Sequence, residues 1–443
     1  SCLVGSEMCI RDSSYTSDDF FGLLDTDEGM YNGLLDIGIG RLPASTVEEA
    51  RNLVDKLINY DHVDNQGDWR NQICFIGDDE DGNIHMRQAD ELAAYVNSNY
   101  PAYNIGKIYL DAYPQSKSTT GFTYPDVEVA INNQVNLGAL IVNYTGHGGT
   151  TGLAHEKVVT LPNIYSWSNG NKLPLFMTAT CEFSRYDEYD IDVDATDVSA
   201  GEEVLLSTKG GGIGLFTTTR LVYSGPNHIL NEHFYEVVFE KNANQENYRL
   251  GDIIAYSKNE TGAGVNKRNF TLLGDPSLRL SYPENSIVTD SINNTSVREI
   301  RDTLSAFDWV SISGHVETRN GKLMNDFNGT VYPVVYDKNR PVETLSNDNT
   351  SSFNFQTRNN ILYRGKADVK DGYFSFGFYV PKDISYSFGP GKISYYANDS
   401  ICDAHGSWED FTVGGLGTEN AQDLEPPQLQ LFMNDSFFVS GGM

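Results

Sequence analysis

The chain has 443 residues, 39% of them hydrophobic and 12% aromatic, a composition suited to two or three ordinary globular domains. Its 61 acidic against 31 basic residues give a formal net charge of −30 and a pI near 4.5, which argues against nucleic acid and anionic lipid as direct partners. No apolar run approaches the roughly 18 residues needed to span a bilayer.

Leu3–Ser13 reads LVGSEMCIRDS and resembles the in-frame translation of a sequencing-library adapter, so residues 1–13 are set aside from fold reasoning. Native sequence is then expected from Ser14, and the chain is expected to be a piece of a longer protein. Setting this stretch aside removes Cys2 and Cys9. Cys74, Cys181 and Cys402 remain, odd in number and far apart, which is no disulfide framework. With no CxxC or HExxH spacing, a zinc site has little support.

Residues 14–283 alternate apolar strands with amphipathic helices. Ser45–Asp61 is the clearest helix, with Val47, Ala50, Leu53, Val54, Leu57 and Ile58 on one face and a capping box expected from Ser45 and Glu48. Ile73–Gly77 reads as a strand, Asn83–Asn97 as a helix and Gly106–Leu110 as a strand. Pro125–Leu137 reads as a helix stopped by Gly138. Ala139–Tyr144, Leu173–Thr180 and Gly212–Thr218 read as buried strands. This order implies βαβ units and a largely parallel sheet, whose chemistry lies beyond the carboxyl ends of its strands.

After Pro283 the pattern changes. Residues 284–304 are polar and read as a linker with a short helix. Val310–Glu317, Gly329–Tyr336, Gly372–Tyr379 and Gly391–Tyr396 read as short alternating strands, with turn signals at Asn320-Gly321 and Asp371-Gly372. Residues 305–415 are therefore expected to form an immunoglobulin-like β-sandwich. Glu425-Pro426-Pro427 marks a further boundary, so residues 416–443 read as a linker and the start of a truncated domain.

Two strand ends carry chemistry. His147 sits among glycines in Asn143–Gly149, NYTGHGG, just past a buried strand, where glycine lets backbone N–H groups approach a substrate oxygen. Cys181 ends another apolar strand in Thr178–Ser184, TATCEFS. Side by side, such a pair can form a thiol nucleophile and its base. Taken singly, a Cys in an apolar strand is most often core. Beyond Cys181 runs an acidic stretch in which Asp190, Asp192 and Asp194 alternate. Such carboxylates can hold a structural Ca²⁺, although the spacing is not an EF-hand and such a run is more often a solvated loop.

NYTGHGG together with LPLFMTATC, residues 173–181, resembles the gingipain family of cysteine peptidases, and LGDPSL, residues 273–278, resembles the segment closing that catalytic domain. TATCEFSR, LFTTTR at Leu215–Arg220 and NKRNFTLLGDPSL look like the sortase branch that serves the type IX secretion system of Bacteroidetes. The resemblance covers residues 14–283 and implies a caspase-like α/β fold with a mostly parallel sheet flanked by helices. It implies His147 as general base, Cys181 as nucleophile and an oxyanion hole from the backbone N–H groups of Gly148 and Cys181. The acidic residue that orients the base falls on Asp79 or Asp78. Asn83 stands where arginine-specific members place an Asp in the substrate pocket, and an amide cannot pair with a guanidinium as a carboxylate does. Glu182, next to the nucleophile, is expected to face substrate as well.

The implied function is a transpeptidase at the extracellular face of the outer membrane. It would cleave C-terminal signal domains from secreted proteins and pass the acyl group to a lipopolysaccharide amine, beside other type IX components. No cofactor is required for this chemistry. A plain extracellular endopeptidase and a non-catalytic secretion scaffold with an idle dyad are the rival expectations.

Overall fold

The computed structural model describes residues 16–417 apart from 30–31, 120, 188, 191–194, 197, 300 and 348–349. The stretch read as an adapter, and all but the first two residues of the region read as a truncated further domain, lie outside the described residues.

The first unit is built on six strands: β1 (Gln72–Gly77), β2 (Asn104–Tyr109), β3 (Ile141–Thr145), β4 (Leu175–Ala179), β5 (Gly214–Thr218) and β6 (Phe270–Leu273). They pair in the order β6-β5-β4-β3-β1-β2, all parallel except β6 against β5. Apolar side chains alternate between two cores. Ile73, Phe75, Ile141, Leu175, Met177 and Phe216 face one side, and Cys74, Ile76, Val142, Tyr144, Phe176 and Leu215 face the other. Both faces are buried, which is why these strands read as continuous apolar runs rather than alternating ones.

Among the described residues, seven α-helices cover the sheet: α1 (Val47–Tyr60), α2 (Glu80–Asn99), α3 (Pro125–Leu137), α4 (Leu161–Ser166), α5 (Ala200–Leu206), α6 (Ser224–Val237) and α7 (Leu250–Glu260). Helices α2, α6 and α7 supply the first core, and α3, α4 and α5 the second. The capping box of α1 sits one residue later than the sequence suggested, on Thr46 and Glu49. Ser45 and Glu48 share the same spacing, but Glu49 accepts from the backbone N–H groups of both Ser45 and Thr46 and so satisfies the helix start better. No helix of the described residues is long and apolar enough to cross a membrane.

The second unit is all β. Its main strands are β7 (Asn285–Ile292), β8 (Trp309–Glu317), β9 (Gly329–Tyr336), β10 (Ala367–Lys370), β11 (Tyr373–Tyr379), β12 (Lys392–Asn398) and β13 (Asp403–Trp408). They pair β7-β8-β11-β10-β9-β12-β13, and β13 returns to β7 through Asn285↔Ala404 and Ser286↔His405. The sheet closes into a barrel-like ring around Ile287, Ile312, Val331, Phe374, Ile393 and Tyr395. This corrects the expected immunoglobulin sandwich, in which two sheets stay separate. It also corrects the expected linker over 284–304, because β7 is a full member of the ring. Asp371 and Gly372 both take positive φ, 51° and 81°, and make the tight turn their sequence announced.

The two units are fastened by buried polar contacts. Arg70, on the 3₁₀ turn leading into β1, pairs with Asp403 at 2.8 Å, with side-chain exposures of 1% and 0%. The Asn71 amide donates to the Tyr395 carbonyl, and Lys392 Nζ donates to the Tyr103 carbonyl.

Candidate active site

Parallel pairing sets Gly77, Thr145 and Ala179 level with one another at the carboxyl edge of the sheet. The chain therefore leaves β1, β3 and β4 into three adjacent turns: Asp78–Asn83, Gly146–Gly149 and Thr180–Ser184. These turns hold every candidate that the sequence placed at a strand end. They interlock closely. A Cβ at Gly146 would lie 2.2 Å from Asp78 Cβ, and one at Gly148 would lie 2.5 Å from Thr180 Oγ1. Only glycine lets the histidine turn pass between its two neighbours.

Asp78 organises the histidine turn. Its buried carboxylate accepts from the backbone N–H of His147 at 2.7 Å, from Tyr144 Oη at 3.3 Å and from the N–H of Asp79 at 2.9 Å. Asp78 thus holds the His147 backbone and not its ring. The ring Nε2 instead faces Asp81 Oδ2 at 3.1 Å and Glu80 Oε2 at 3.5 Å. The carboxylates that stand at the His147 ring are therefore the third and fourth of the acidic run, whereas the sequence pointed to the first and second. A left-handed stretch brings them there: Asp81, Gly82 and Asn83 have φ of 52°, 67° and 68°. Strained backbone of this kind clusters at functional sites, and no linear spacing announces it.

Asp79 is almost wholly buried. One carboxylate oxygen bonds Tyr124 Oη and the other has no hydrogen-bond partner. Burial pushes this carboxyl up to about 8, with the nearby charges of Asp78 and Glu156 adding to the shift. A raised acid is stabilised in its neutral form, so its favourable contribution is complete below the unfolded value near 3.8. That contribution is lost as pH rises through about 8. The wild-type chain is accordingly expected to lose more thermal stability between pH 5 and pH 8 than Asp79→Asn does. The difference should be on the order of 2 kcal/mol at the upper end. Equal slopes of Tm against pH in the two proteins would refute this.

Cys181 is half-buried, and its thiol donates to the Val222 carbonyl at 3.6 Å. Burial pushes this thiol above its ordinary value, and the Glu182 carboxylate adds to the effect. Glu182 itself takes a left-handed φ of 51° and pairs with Arg185 at 3.4 Å. Among the described residues no hydrogen bond joins the Cys181 thiol to the His147 ring. The two groups stand on adjacent turns, each with another partner.

Asn83 is buried and does not line an open pocket. Its Nδ2 donates to the Ser351 carbonyl at 2.5 Å, and its Oδ1 accepts from Thr350 at 3.4 Å. The segment carrying these residues belongs to the second unit and is anchored on Asp111, whose carboxylate accepts from the N–H groups of Ser346 and Asn347. The position expected to meet substrate is thus occupied from the β unit. Of the expected calcium ligands, Asp192 and Asp194 lie outside the described residues. Asp190 lies in a two-residue strand paired with Ala195–Thr196.

Two histidines not singled out from the sequence join the site. His155 stacks on His147 with ring centroids 4.9 Å apart, and His85 meets His147 edge-on at 5.2 Å.

No curated protein sequence matches the chain. Among solved structures it is similar to the Arg-specific cysteine proteinase gingipain R (RgpB), with 17% identity and a TM-score of 0.49 over 90% of this chain and 79% of that one. A complex of Porphyromonas gingivalis RgpB pro- and mature domains gives 16% identity and a TM-score of 0.47, covering 90% of this chain and 81% of that one. Dimeric latent PorU from Porphyromonas gingivalis gives 23% identity and a TM-score of 0.37; the match covers 96% of this chain and 34% of that one. The model of peptidase family C25 matches residues 2–281. The chain belongs to peptidase family C25, the gingipain family of cysteine peptidases.

Proposed function

We propose that the chain is a cysteine peptidase of the sortase kind, with Cys181 as nucleophile and His147 as its base. The observation that carries this is the level register of Thr145 and Ala179, which sets the two turns beside each other at the functional edge of a parallel sheet. In the working state the Cys181 thiol leaves the Val222 carbonyl and passes its proton to the His147 imidazole. Asp81 and Glu80 stabilise the imidazolium so formed. The thiolate attacks the scissile carbonyl, and the backbone N–H groups of Gly148 and Cys181 receive the oxyanion. The leaving amine takes the proton from His147. The acyl-enzyme then passes to an amine of a surface lipopolysaccharide, or to water.

The substrates in this reading are secreted proteins carrying a C-terminal signal domain. The place is the extracellular face of the outer membrane, beside other type IX secretion components. Its support is the likeness of TATCEFSR and NKRNFTLLGDPSL to the sortase branch. The covered Asn83 fits an enzyme with little call for a deep arginine pocket. The β unit positions substrate or partners.

The test is a cleavage assay on a peptide spanning the junction before a signal domain, run with and without a saturating amine acceptor. An amide-linked product is expected. Free acid alone would leave a plain endopeptidase. An intact peptide with a folded chain would favour the scaffold.

A further inference from the structure

The geometry points to a binding site for a divalent transition-metal ion such as Zn²⁺, formed by Asp81, His85 and the Nε2 of His147, whose occupation switches the peptidase off. The switching part rests on the assignment of His147 as base; the site itself does not.

The three ligand atoms lie within 4.8 Å of one another. Asp81 Oδ2 is 3.1 Å from His147 Nε2 and 3.4 Å from His85 Nε2. Ligands at about 2.0–2.1 Å in a tetrahedron stand roughly 3.3 Å apart, so an ion can enter with small rotamer adjustments. Two imidazoles and one carboxylate form a common zinc set, and a fourth position stays open to water.

A second observation concerns His85 alone. The residue is only 5% exposed, yet its Nδ1 has no hydrogen-bond partner and its Nε2 has only the long 3.4 Å contact with Asp81. A metal ion at Nε2 would replace that long contact with a coordination bond.

The chemical consequence follows from the tautomers of imidazole. A neutral ring has one proton and one free lone pair. A metal ion on Nε2 takes that lone pair and leaves the proton on Nδ1. His147 then has no place for the Cys181 proton, whichever nitrogen the thiol would have used. No bond is broken and no oxidant is needed; the ion competes with catalysis for one lone pair.

The test titrates Zn²⁺ into the full chain against a chromophoric chelator. Cys181→Ser serves as the background, so that the thiol cannot be the ligand. One bound equivalent is expected, with affinity weakened at least about tenfold by His85→Gln and similarly by the more exposed Asp81→Asn. Thermal melting of each variant checks that the fold persists. No bound ion, or binding that neither variant weakens, overturns the site. In the active chain, Zn²⁺ should abolish cleavage and a chelator restore it, with His85→Gln needing about tenfold more ion for the same loss. Binding at His85 in a chain that never cleaves peptide would sustain the site and sink the catalytic assignment.

Discussion

Cys181→Ala is expected to lower peptide cleavage by about 10⁴-fold or more, and His147→Ala by nearly as much, because the two act as one unit. The double variant should be little worse than either alone. Neither substitution should unfold the chain. Cys181 is half-buried on a turn, and its thiol makes a long contact with the Val222 carbonyl. His147 is held through its backbone by Asp78 and Tyr144, contacts that survive loss of the ring. Steady-state kinetics on a cleaved peptide, with melting curves as control, checks both points. Losses that multiply in the double variant would mean that the groups work separately.

Arg70→Ala is expected to destabilise the fold by about 3–5 kcal/mol, because it leaves the Asp403 carboxylate buried without its cation. Asp403 also accepts from the Glu284 N–H and from Tyr396 Oη, so it cannot move out to water cheaply. Pairing Arg70→Met with Asp403→Asn removes both charges and should recover a good part of the loss. Urea denaturation of the single and double variants gives the coupling directly. The effect reaches function through two routes. Arg70 begins the segment that runs through β1 to Asp78, and the β unit that it fastens lays Ser351 against Asn83. An Arg70→Ala chain as stable as wild type would show that the two units do not depend on this pair.

Much of the sheet was legible because its chemistry is local. β1, β3, β4 and β5 are short apolar runs ending in glycine, threonine or alanine, and buried parallel strands leave that signature. The adjacency of the turns that carry His147 and Cys181 was legible for the same reason, since each turn follows such a strand directly. What failed was long-range or conformational. β7 escaped because Ser286, Asp290 and Ser291 make it polar and a register shift between Thr289 and Ser291 breaks its alternation. Ring closure through β7 and β13 joins segments more than 100 residues apart, which no periodicity records.

The acidic run shows the limit most clearly. Counting from the strand favoured Asp78 and Asp79. The left-handed stretch at Asp81–Asn83 reverses the chain and brings Asp81 to the ring. The same reversal brings in His85, and the short hairpin after His147 returns His155 to it. A glycine and an asparagine at 82 and 83, both tolerant of positive φ, were the available signal. Absent HExxH spacing gave little support to zinc in sequence, yet histidines 62 residues apart in the chain come within ligand distance of one carboxylate.

The central claim is that Cys181 is a nucleophile served by His147. The most direct measurement is the mass of the Cys181 peptide after brief exposure of the metal-free chain to a thiol-reactive peptide ketone at neutral pH. The wild type is expected to carry one adduct on Cys181, with Cys74 and Cys402 unmodified, and His147→Ala to carry almost none. Equal labelling of Cys181 in the two proteins, or no labelling in either, would contradict the account.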